Sequence, residues 1–392
     1  MSYNFDEIIP RNGTRSVKFG LRKAKFGRAD LLPMWVADMD FRTPRFITDA
    51  VKKRAAHEIY GYTYRPKEYN ESIVHWIKEQ HSWNIEKEWI IFCPGVVPAL
   101  NLAIMAYTNP GDKVIVQPPV YFPFFSAVKN NNRKLVNNQL LYKDGKYTID
   151  FKNLEKEAAN GAKLILLSNP HNPVGRVWTE KELEKLAGIC INHDILIISD
   201  EIHSDLILPG NKHIPTAGIS ETIANQVVTC MAPSKSFNIA GLATSSVIIS
   251  NPVIREKFNM MMERLHIGGG NIFGMEASIA AYSNGKEWID KMLEYVNDNM
   301  VLVYNYCQER IPLIKPVKAE ATYLMWLDCI DLEMDDVSLH KFMIEKAGLG
   351  FNDGPTFGIG GNGFQRINVA CPRSVVQEAL ERLEKAMKII KP

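Results

Sequence analysis

Short apolar runs alternate with helical patterns through the middle of the chain. Six of these runs are predicted to be strands: 89–93, 113–117, 164–168, 195–199, 227–231 and 246–250. Several consist almost entirely of Val, Ile and Leu, which is typical of strands buried on both faces of a parallel sheet. Such strands, alternating with helices, indicate an α/β fold.

Helix signals separate and follow these runs. An amphipathic helix is predicted over 43–57, where a Thr-Pro step supplies the cap and the first helical residue. Thr179 and Glu182 have the spacing of a capping box at the start of a further helix. One long helix is predicted over 252–282, and a charged amphipathic helix over 373–388.

The pattern changes toward both ends of the chain. After the long helix, helices alternate with a few strands, which are predicted over 323–327 and 366–369. We interpret 45–285 as a large sheet domain. Residues 1–44 and 286–392 would together form a smaller α+β domain beside it.

Composition and charge narrow the classes of partner. The 392 residues are 46% hydrophobic and 23% charged, as in a globular protein with a large core. The formal net charge is only +2, which argues against nucleic acid as the main partner. Residues 11–28 contain seven basic residues and no acid. Glycines and hydrophobes interrupt this run, so we expect a solvated or subunit-contacting arm rather than a nucleic-acid-binding one.

The location of the protein is predicted from three further features. Six scattered cysteines without a CxxC pair indicate buried, reduced thiols. Residues 1–10 lack the apolar stretch of a signal peptide, and no run has the length of a membrane span. We therefore expect a cytoplasmic protein without membrane contact.

Two loops that follow predicted strands carry polar side chains. The loop 168–175 (SNPHNPVG) is stiff because of its Asn-Pro steps, and it is either an ordinary turn or a loop that presents side chains. Asp200 ends an apolar strand, where a buried acid needs a cation or a metal. His203 with Asp200 and Asp205 could bind a metal, but no second histidine has ligand spacing, so a metal site is the weaker interpretation.

Two other strand ends could hold a lysine and a phosphate. Lys235, in APSKSFNIAG, is either a solvated loop residue or, in a desolvated site, an amine of depressed pKa that can form an imine. After 89–93 the chain breaks at a Pro-Gly step and a helix begins, so its free N–H groups could bind phosphate. Open α/β sheets bind ligands at this edge, which predicts that the four signals form one site.

The order GVV, NPHNPVGR, SDEIHSD and APSKSFNIAG resembles the fold-type I pyridoxal-phosphate-dependent enzymes, in their aminotransferase-like (class I/II) branch. The resemblance runs from FDEIIPRNGTRSVKFG to FQRINVACPR. The pairing of MWVADMDF with DEIHSD and SKSFN is similar to the cystathionine β-lyase, or C–S lyase, group of the MalY/PatB type. The resemblance implies a mostly parallel seven-stranded sheet between helices, and pyridoxal 5′-phosphate as the cofactor.

The resemblance also implies roles for individual residues. Lys235 would hold the cofactor as a Schiff base and move the Cα proton, and Asp200 would pair with the cationic ring nitrogen. Asn172 would donate to the 3′-oxygen, and Tyr121 would stack on the ring. Arg366 would grip the substrate α-carboxylate with its planar fork.

Further contacts are implied for the phosphate and for a second subunit. The phosphate would be bound by backbone N–H groups of Gly95, Val96 and Val97 and by the Ser234 hydroxyl. Tyr62 would reach the phosphate and substrate of the neighbouring subunit, which implies a homodimer with shared active sites.

The substrate pocket is the least determined part of the site. Trp35, Tyr60 and Tyr64 are expected as pocket walls, although core packing explains them equally. Ala37 lies in the loop 34–41, on which substrate preference would depend. The glycine-rich stretch 354–363 is interpreted as a turn before the strand of Arg366 rather than a mobile flap.

The chain also departs from the aminotransferase pattern. His203 stands where many aminotransferases have a tyrosine that donates to the 3′-oxygen, and its own role is open. No basic residue lies in 239–246, and Ala232 replaces a frequent hydroxyl, so the phosphate site should carry less positive charge.

The resemblance favours one reaction over two others. We expect β-elimination from cystathionine or related cysteine S-conjugates, which gives a thiol (homocysteine from cystathionine), pyruvate and ammonia. An aminotransferase that uses a 2-oxo acid shares the first steps, and the residues named do not separate the two. A regulatory protein that binds the cofactor is the third possibility, against which the intact set of catalytic residues argues.

Overall fold

A computed structural model describes residues 3–390 and contains fifteen strands within that range. The strands are β1 (Leu32–Pro33), β2 (Ile90–Cys93), β3 (Lys113–Val116), β4 (Lys134–Asn137), β5 (Leu141–Lys143), β6 (Lys146–Thr148), β7 (Ala162–Ser168), β8 (Leu196–Asp200), β9 (Val227–Met231), β10 (Ser245–Ile248), β11 (Lys315–Pro316), β12 (Leu324–Asp328), β13 (Leu349–Gly350), β14 (Asn352–Asp353) and β15 (Phe364–Asn368).

Helices surround these strands. They are α1 (Val17–Gly20), α2 (Arg22–Phe26), α3 (Arg45–Ala55), α4 (Lys67–His81), α5 (Val96–Tyr107), α6 (Pro123–Asn130), α7 (Phe151–Ala159), α8 (Glu180–Asn192), α9 (Glu221–Ala224), α10 (Pro233–Ser236), α11 (Pro252–Arg264), α12 (Ile272–Asn284), α13 (Lys286–Arg310), α14 (Asp336–Lys341) and α15 (Arg373–Ile390).

The central sheet has seven strands in the order β2-β10-β9-β8-β7-β3-β4. Only β10 runs antiparallel to its neighbours, so the predicted mostly parallel α/β sheet is confirmed. Along β7, Leu164 and Leu166 join one apolar cluster and Ile165 and Leu167 the other. The strand is therefore buried on both faces, which explains its continuous run of aliphatic residues.

All six predicted strands are present, with ends that differ by a few residues. The seventh, β4 at the sheet edge, was missed because its sequence KLVN is short and only partly buried. The predicted long helix over 252–282 is wrong. It consists of α11 and α12, which are separated by a segment that contains Gly268, Gly269 and Gly270. Gly270 has a φ of +80°, which a continuous helix does not accommodate.

One of the two predicted helix caps is confirmed, and the other is wrong. The capping box of Thr179 and Glu182 is confirmed at the start of α8. The first predicted cap is wrong, because Pro44 occupies the N-cap position of α3. The Thr43 hydroxyl instead donates to the carbonyl of Asn238 at 3.2 Å, so it connects the start of α3 to the segment that follows Lys235.

The second large sheet is antiparallel, in the order β11-β12-β15-β14. Arg366 lies in β15, a central strand, opposite Trp326. The strand β1, near the start of the chain, pairs in parallel with β13. The division into domains at 45–285 stays a prediction.

The glycine-rich stretch 354–363 is tightly packed. A Cβ atom added at Gly354 would lie 1.8 Å from the Gly361 carbonyl oxygen, and one at Gly358 would lie 2.6 Å from the ring of Phe125. This packing agrees with the interpretation as a turn.

Two general features of the described residues bear on function. Within 3–390, no helix combines the length and apolar character that a membrane crossing requires. All six cysteines are free and buried, as expected.

Candidate active site

The site is a cavity of about 240 Å³ at the carboxyl ends of the central parallel strands. Its wall includes residues that follow β2, β3, β7, β8 and β9, where an open α/β sheet is expected to bind ligands. Eleven of the predicted site residues line the cavity or contact a residue that does: Ala37, Gly95, Val96, Val97, Tyr121, Asn172, Asp200, His203, Ser234, Lys235 and Arg366.

Lys235 projects into this cavity from α10, a single turn that directly follows β9. Its Nζ donates a hydrogen bond to the Ala37 carbonyl at 2.7 Å. Loss of hydration lowers the pKa of Lys235 to about 8, and the Arg366 charge adds to this, although Asp38 and Asp200 oppose it. A lysine amine of this pKa is partly neutral near physiological pH and can act as a nucleophile or base.

Asp200 is the last residue of β8 and is buried. Burial raises the pKa of its carboxyl to about 7, although the Ile202 backbone N–H donates to it at 3.1 Å and Lys235 lies nearby. A cationic partner beside this buried carboxyl would lower its pKa and restore its negative charge.

His203 faces the same cavity in a neutral form. Burial, with the charges of Lys235 and Arg366, lowers its pKa to about 3. Its buried Nδ1 has no hydrogen-bond partner among the described residues. The metal interpretation fails for His203 with Asp200 and Asp205, because no metal-binding cluster occurs within 3–390. Asp205 instead accepts hydrogen bonds from other side chains.

Asn172 and Arg366 form a connected pair. Arg366 Nη1 donates to Asn172 Oδ1 at 2.9 Å, which leaves the Asn172 amide nitrogen able to donate into the cavity. Arg366 Nη2 donates to the Trp35 carbonyl at 3.0 Å and to Asn352 Oδ1 at 2.7 Å. Its buried Nε has no partner within the described part of the chain. A buried, incompletely paired guanidinium can bind a carboxylate.

The start of α5 forms the other end of the cavity. Gly95 is its N-cap, and the helix begins at Val96 and Val97, whose N–H groups have no earlier carbonyl within the helix. Ser234 lines the same cavity. Among the residues within 3–390 that line the cavity, Lys235 is the only lysine or arginine, which agrees with a phosphate site of low positive charge.

Four predicted aromatic residues lie away from this cavity. Trp35 is partly buried and packs edge-on against Phe26, with ring centroids 5.6 Å apart, and it does not line this cavity. Tyr60 and Tyr62 line a separate cleft, and neither they nor Tyr64 line the cavity of Lys235. Of the two alternatives for Trp35, Tyr60 and Tyr64, a place in the pocket wall is therefore not seen within one chain. Tyr62 is fully exposed.

Two residues of the site were missed in the sequence. Thr244 lines the cavity just before β10, and its hydroxyl is 3.4 Å from the Tyr69 hydroxyl. Tyr323 precedes β12 and donates to the Ala37 carbonyl at 3.1 Å, the same oxygen that Lys235 contacts. Both could have been found as polar residues at the ends of apolar strands.

Known proteins are similar to this chain along most of its length. The family model for class I and II aminotransferases matches residues 30–383. Cystathionine beta-lyase PatB of Bacillus subtilis (strain 168) is 44% identical over 385 residues, covering 98% of this chain and 100% of that protein.

Two solved structures are similarly close. Cystalysin from Treponema denticola, described as containing a pyridoxal 5′-phosphate cofactor, has a TM-score of 0.96 and 42% identity, with 100% of both chains covered. The PLP-bound C–S lyase from Staphylococcus hominis has a TM-score of 0.92 and 35% identity, covering 98% of each chain.

Proposed function

Because the chain belongs to the class I and II aminotransferase family, we propose that it is a pyridoxal-phosphate-dependent carbon–sulfur lyase. Its substrate would be cystathionine or a related cysteine S-conjugate. The observation that carries the proposal is the amine of Lys235, which shares one cavity with Asp200 and Asn172.

The residues of the cavity fit this cofactor. The free N–H groups at the start of α5 and the Ser234 hydroxyl can bind the phosphate of the cofactor, and the Lys235 amine can condense with its aldehyde. Asp200, buried and with a raised pKa, matches a cationic ring nitrogen. The unpaired Arg366 Nε matches a substrate carboxylate beside the ring. Bound pyridoxal phosphate supplies an electron sink for the pair left at Cα when its proton is removed.

Each side chain then has a defined task. Arg366 binds the α-carboxylate of the amino acid and orients Cα–H toward Lys235. Lys235 takes the Cα proton, and its lowered pKa makes the neutral amine available for this step. Asp200 would stabilise the positive charge on the ring nitrogen of the bound cofactor, and Tyr121 would contact its ring.

The reaction proposed is β-elimination. The Cα–H bond breaks, its proton goes to Lys235, and the Cβ–S bond breaks to release a thiolate. The remaining three-carbon enamine takes up water and gives pyruvate and ammonia. With cystathionine, the thiol is homocysteine.

The test is an assay of the purified protein with cystathionine as the only substrate. We expect equal amounts of pyruvate and free thiol without an added 2-oxo acid, and loss of both in Lys235→Ala. Absence of both products, with amino transfer to an added 2-oxo acid, would identify an aminotransferase instead.

We also propose that the enzyme is a cytoplasmic homodimer in which Tyr62 completes the site of the other subunit. Tyr62 supports this proposal because its side chain is fully exposed and does not line the cavity of its own chain. Mixing inactive Lys235→Ala and impaired Tyr62→Phe subunits should restore part of the activity, because one site of each mixed dimer is intact. No restoration in mixed dimers of confirmed mass would contradict the shared site.

A further inference from the structure

An ion cluster around the buried side chain of Lys18 includes the loop that faces Lys235. Lys18 is only 1% exposed, and its Nζ donates to the Asp38 carbonyl at 2.9 Å and to Asp40 Oδ2 at 3.1 Å. The same Nζ lies 3.1 Å from Asp38 Oδ1. Arg11 closes the cluster, since it contacts Asp38 at 2.7 Å and Asp40 at 2.6 Å. Two of the seven basic residues in 11–28 therefore bind carboxylates of the motif MWVADMDF.

An ion cluster of this kind contributes little to the stability of the fold. Removing a lysine ammonium from water is costly, and apolar side chains of similar volume often replace a buried ion pair without loss. Its position offers a more specific role. Asp38 directly follows Ala37, whose carbonyl oxygen is the hydrogen-bond acceptor for Lys235.

The loop is also fixed from its other side. Asn368 Nδ2 donates to the Val36 carbonyl at 2.7 Å and to the Asp38 carbonyl at 2.6 Å. Asn238 Nδ2 donates to the Met39 and Phe41 carbonyls, each at 3.0 Å. These bonds, with those of the ion cluster, leave the Ala37 carbonyl little freedom to turn away from Lys235.

We propose that Lys18 and Asp38 are positioning residues for Lys235: the pair fixes the Ala37 carbonyl against the Lys235 amine and sets the local charge that this amine faces. This inference rests on the proposed function, in which Lys235 carries the cofactor and moves the proton. It gives the motif MWVADMDF a task beyond the lining of a pocket.

The two members of the pair act on Lys235 with opposite sign. Asp38 raises the pKa of the Lys235 amine and Lys18 lowers it, within a total that burial dominates. The other charges that act on this amine are those of Asp200 and Arg366, which the test leaves unchanged. Asp38 itself is charged at neutral pH. Burial raises its pKa, but the hydrogen bonds of Arg11 and the charge of Lys18 outweigh this.

The experiment compares three variants of the full-length holoenzyme: Asp38→Asn, Lys18→Met and Asp40→Asn. The readout is the midpoint of the pH titration of the visible absorbance of the cofactor attached to Lys235. Removing the negative charge should lower the midpoint by about one pH unit. Removing the positive charge should raise it by a smaller amount, because the charge of Lys18 acts less on Lys235 than that of Asp38 does.

Asp40→Asn is the matched control. Asp40 binds the same two cations, yet it is not among the charges that act most on Lys235. Its loss disturbs the cluster without the charge effect, so the midpoint should stay within about 0.3 pH units of wild type. If Lys18→Met does not fold, Lys18→Gln makes the same charge change.

A purely structural cluster gives a different result. In that case Asp38→Asn and Asp40→Asn would shift the midpoint alike, or Asp38→Asn and Lys18→Met would shift it in the same direction, and the inference would be overturned. Failure of the proposed function would be seen separately, as a wild-type protein with no cofactor attached to Lys235.

Discussion

Arg366 offers a sharp test of how the substrate is bound. Its guanidinium is buried in β15, 4.8 Å from the ring centroid of Phe357, and donates to Asn172, Trp35 and Asn352. Arg366→Lys keeps the positive charge but removes the planar fork. The three donors of a lysine ammonium can keep some of these bonds, so we expect the variant to fold and to bind cofactor.

The expected loss is in substrate affinity. A hydrogen bond between charged groups contributes about 1.5–3 kcal/mol, and the lysine has no donor equivalent to the unpaired Arg366 Nε that would bind the α-carboxylate. Since 1.4 kcal/mol is a factor of about ten, KM should rise roughly tenfold to a hundredfold. The kcat should fall less, because the proton transfer itself is made by Lys235.

Steady-state kinetics of pyruvate release over a range of cystathionine concentrations would measure this effect. Arg382→Lys is a matched control, because Arg382 is partly exposed and pairs with Glu378 on α15. The visible absorbance of the cofactor should be unchanged in both variants. A KM within about threefold of wild type for Arg366→Lys, with cofactor bound, would refute the role in carboxylate binding.

Three further predictions concern other positions. Asp200→Asn should lower kcat by about a hundredfold or more, because an amide does not stabilise the cationic ring nitrogen as a carboxylate does. The loss in Tm should be small, because burial raises the pKa of this carboxyl to about 7 and makes it costly to ionise; near-normal turnover would contradict the role. Gly354→Ala should destabilise by about 3 kcal/mol in denaturant unfolding, since its Cβ would meet the Gly361 carbonyl; an unchanged midpoint would contradict the tight turn. Burial raises the pKa of Asp205, but the hydrogen bond and charge of His81 lower it overall, so the stability that this carboxylate contributes is present at neutral pH and lost as pH falls. Asp205→Asn should therefore cost about 3 kcal/mol at pH 7 and less near pH 3, and equal losses at both would contradict the ion pair.

The sequence predicts the sheet well because burial on both faces leaves a direct pattern. Every residue of β8 and β9 is buried, and both appear as apolar runs. The edge strand β4 lacks this pattern, since its side chains are half-exposed. The break between α11 and α12 depends on the backbone at Gly270, which periodicity alone does not specify.

The site was predictable where residues follow strands directly. Asp200 and Lys235 occupy such positions, and both line the cavity. For Trp35 the sequence left packing and a pocket wall equally open, because an aromatic side chain beside a candidate loop gives no sign of the face it takes. Its ring packs against the small core around Phe26. The ion cluster of Lys18 was not predictable, because its partners lie about twenty residues away along the chain.

Attachment of the cofactor to Lys235 is the central step of the proposed function. Borohydride treatment of the holoenzyme, followed by digestion and mass spectrometry, would locate the reduced linkage. We predict that the peptide containing Lys235 carries the added mass and that Lys235→Ala carries none. Labelling of a different lysine, or a fully active Lys235→Ala enzyme, would contradict the account.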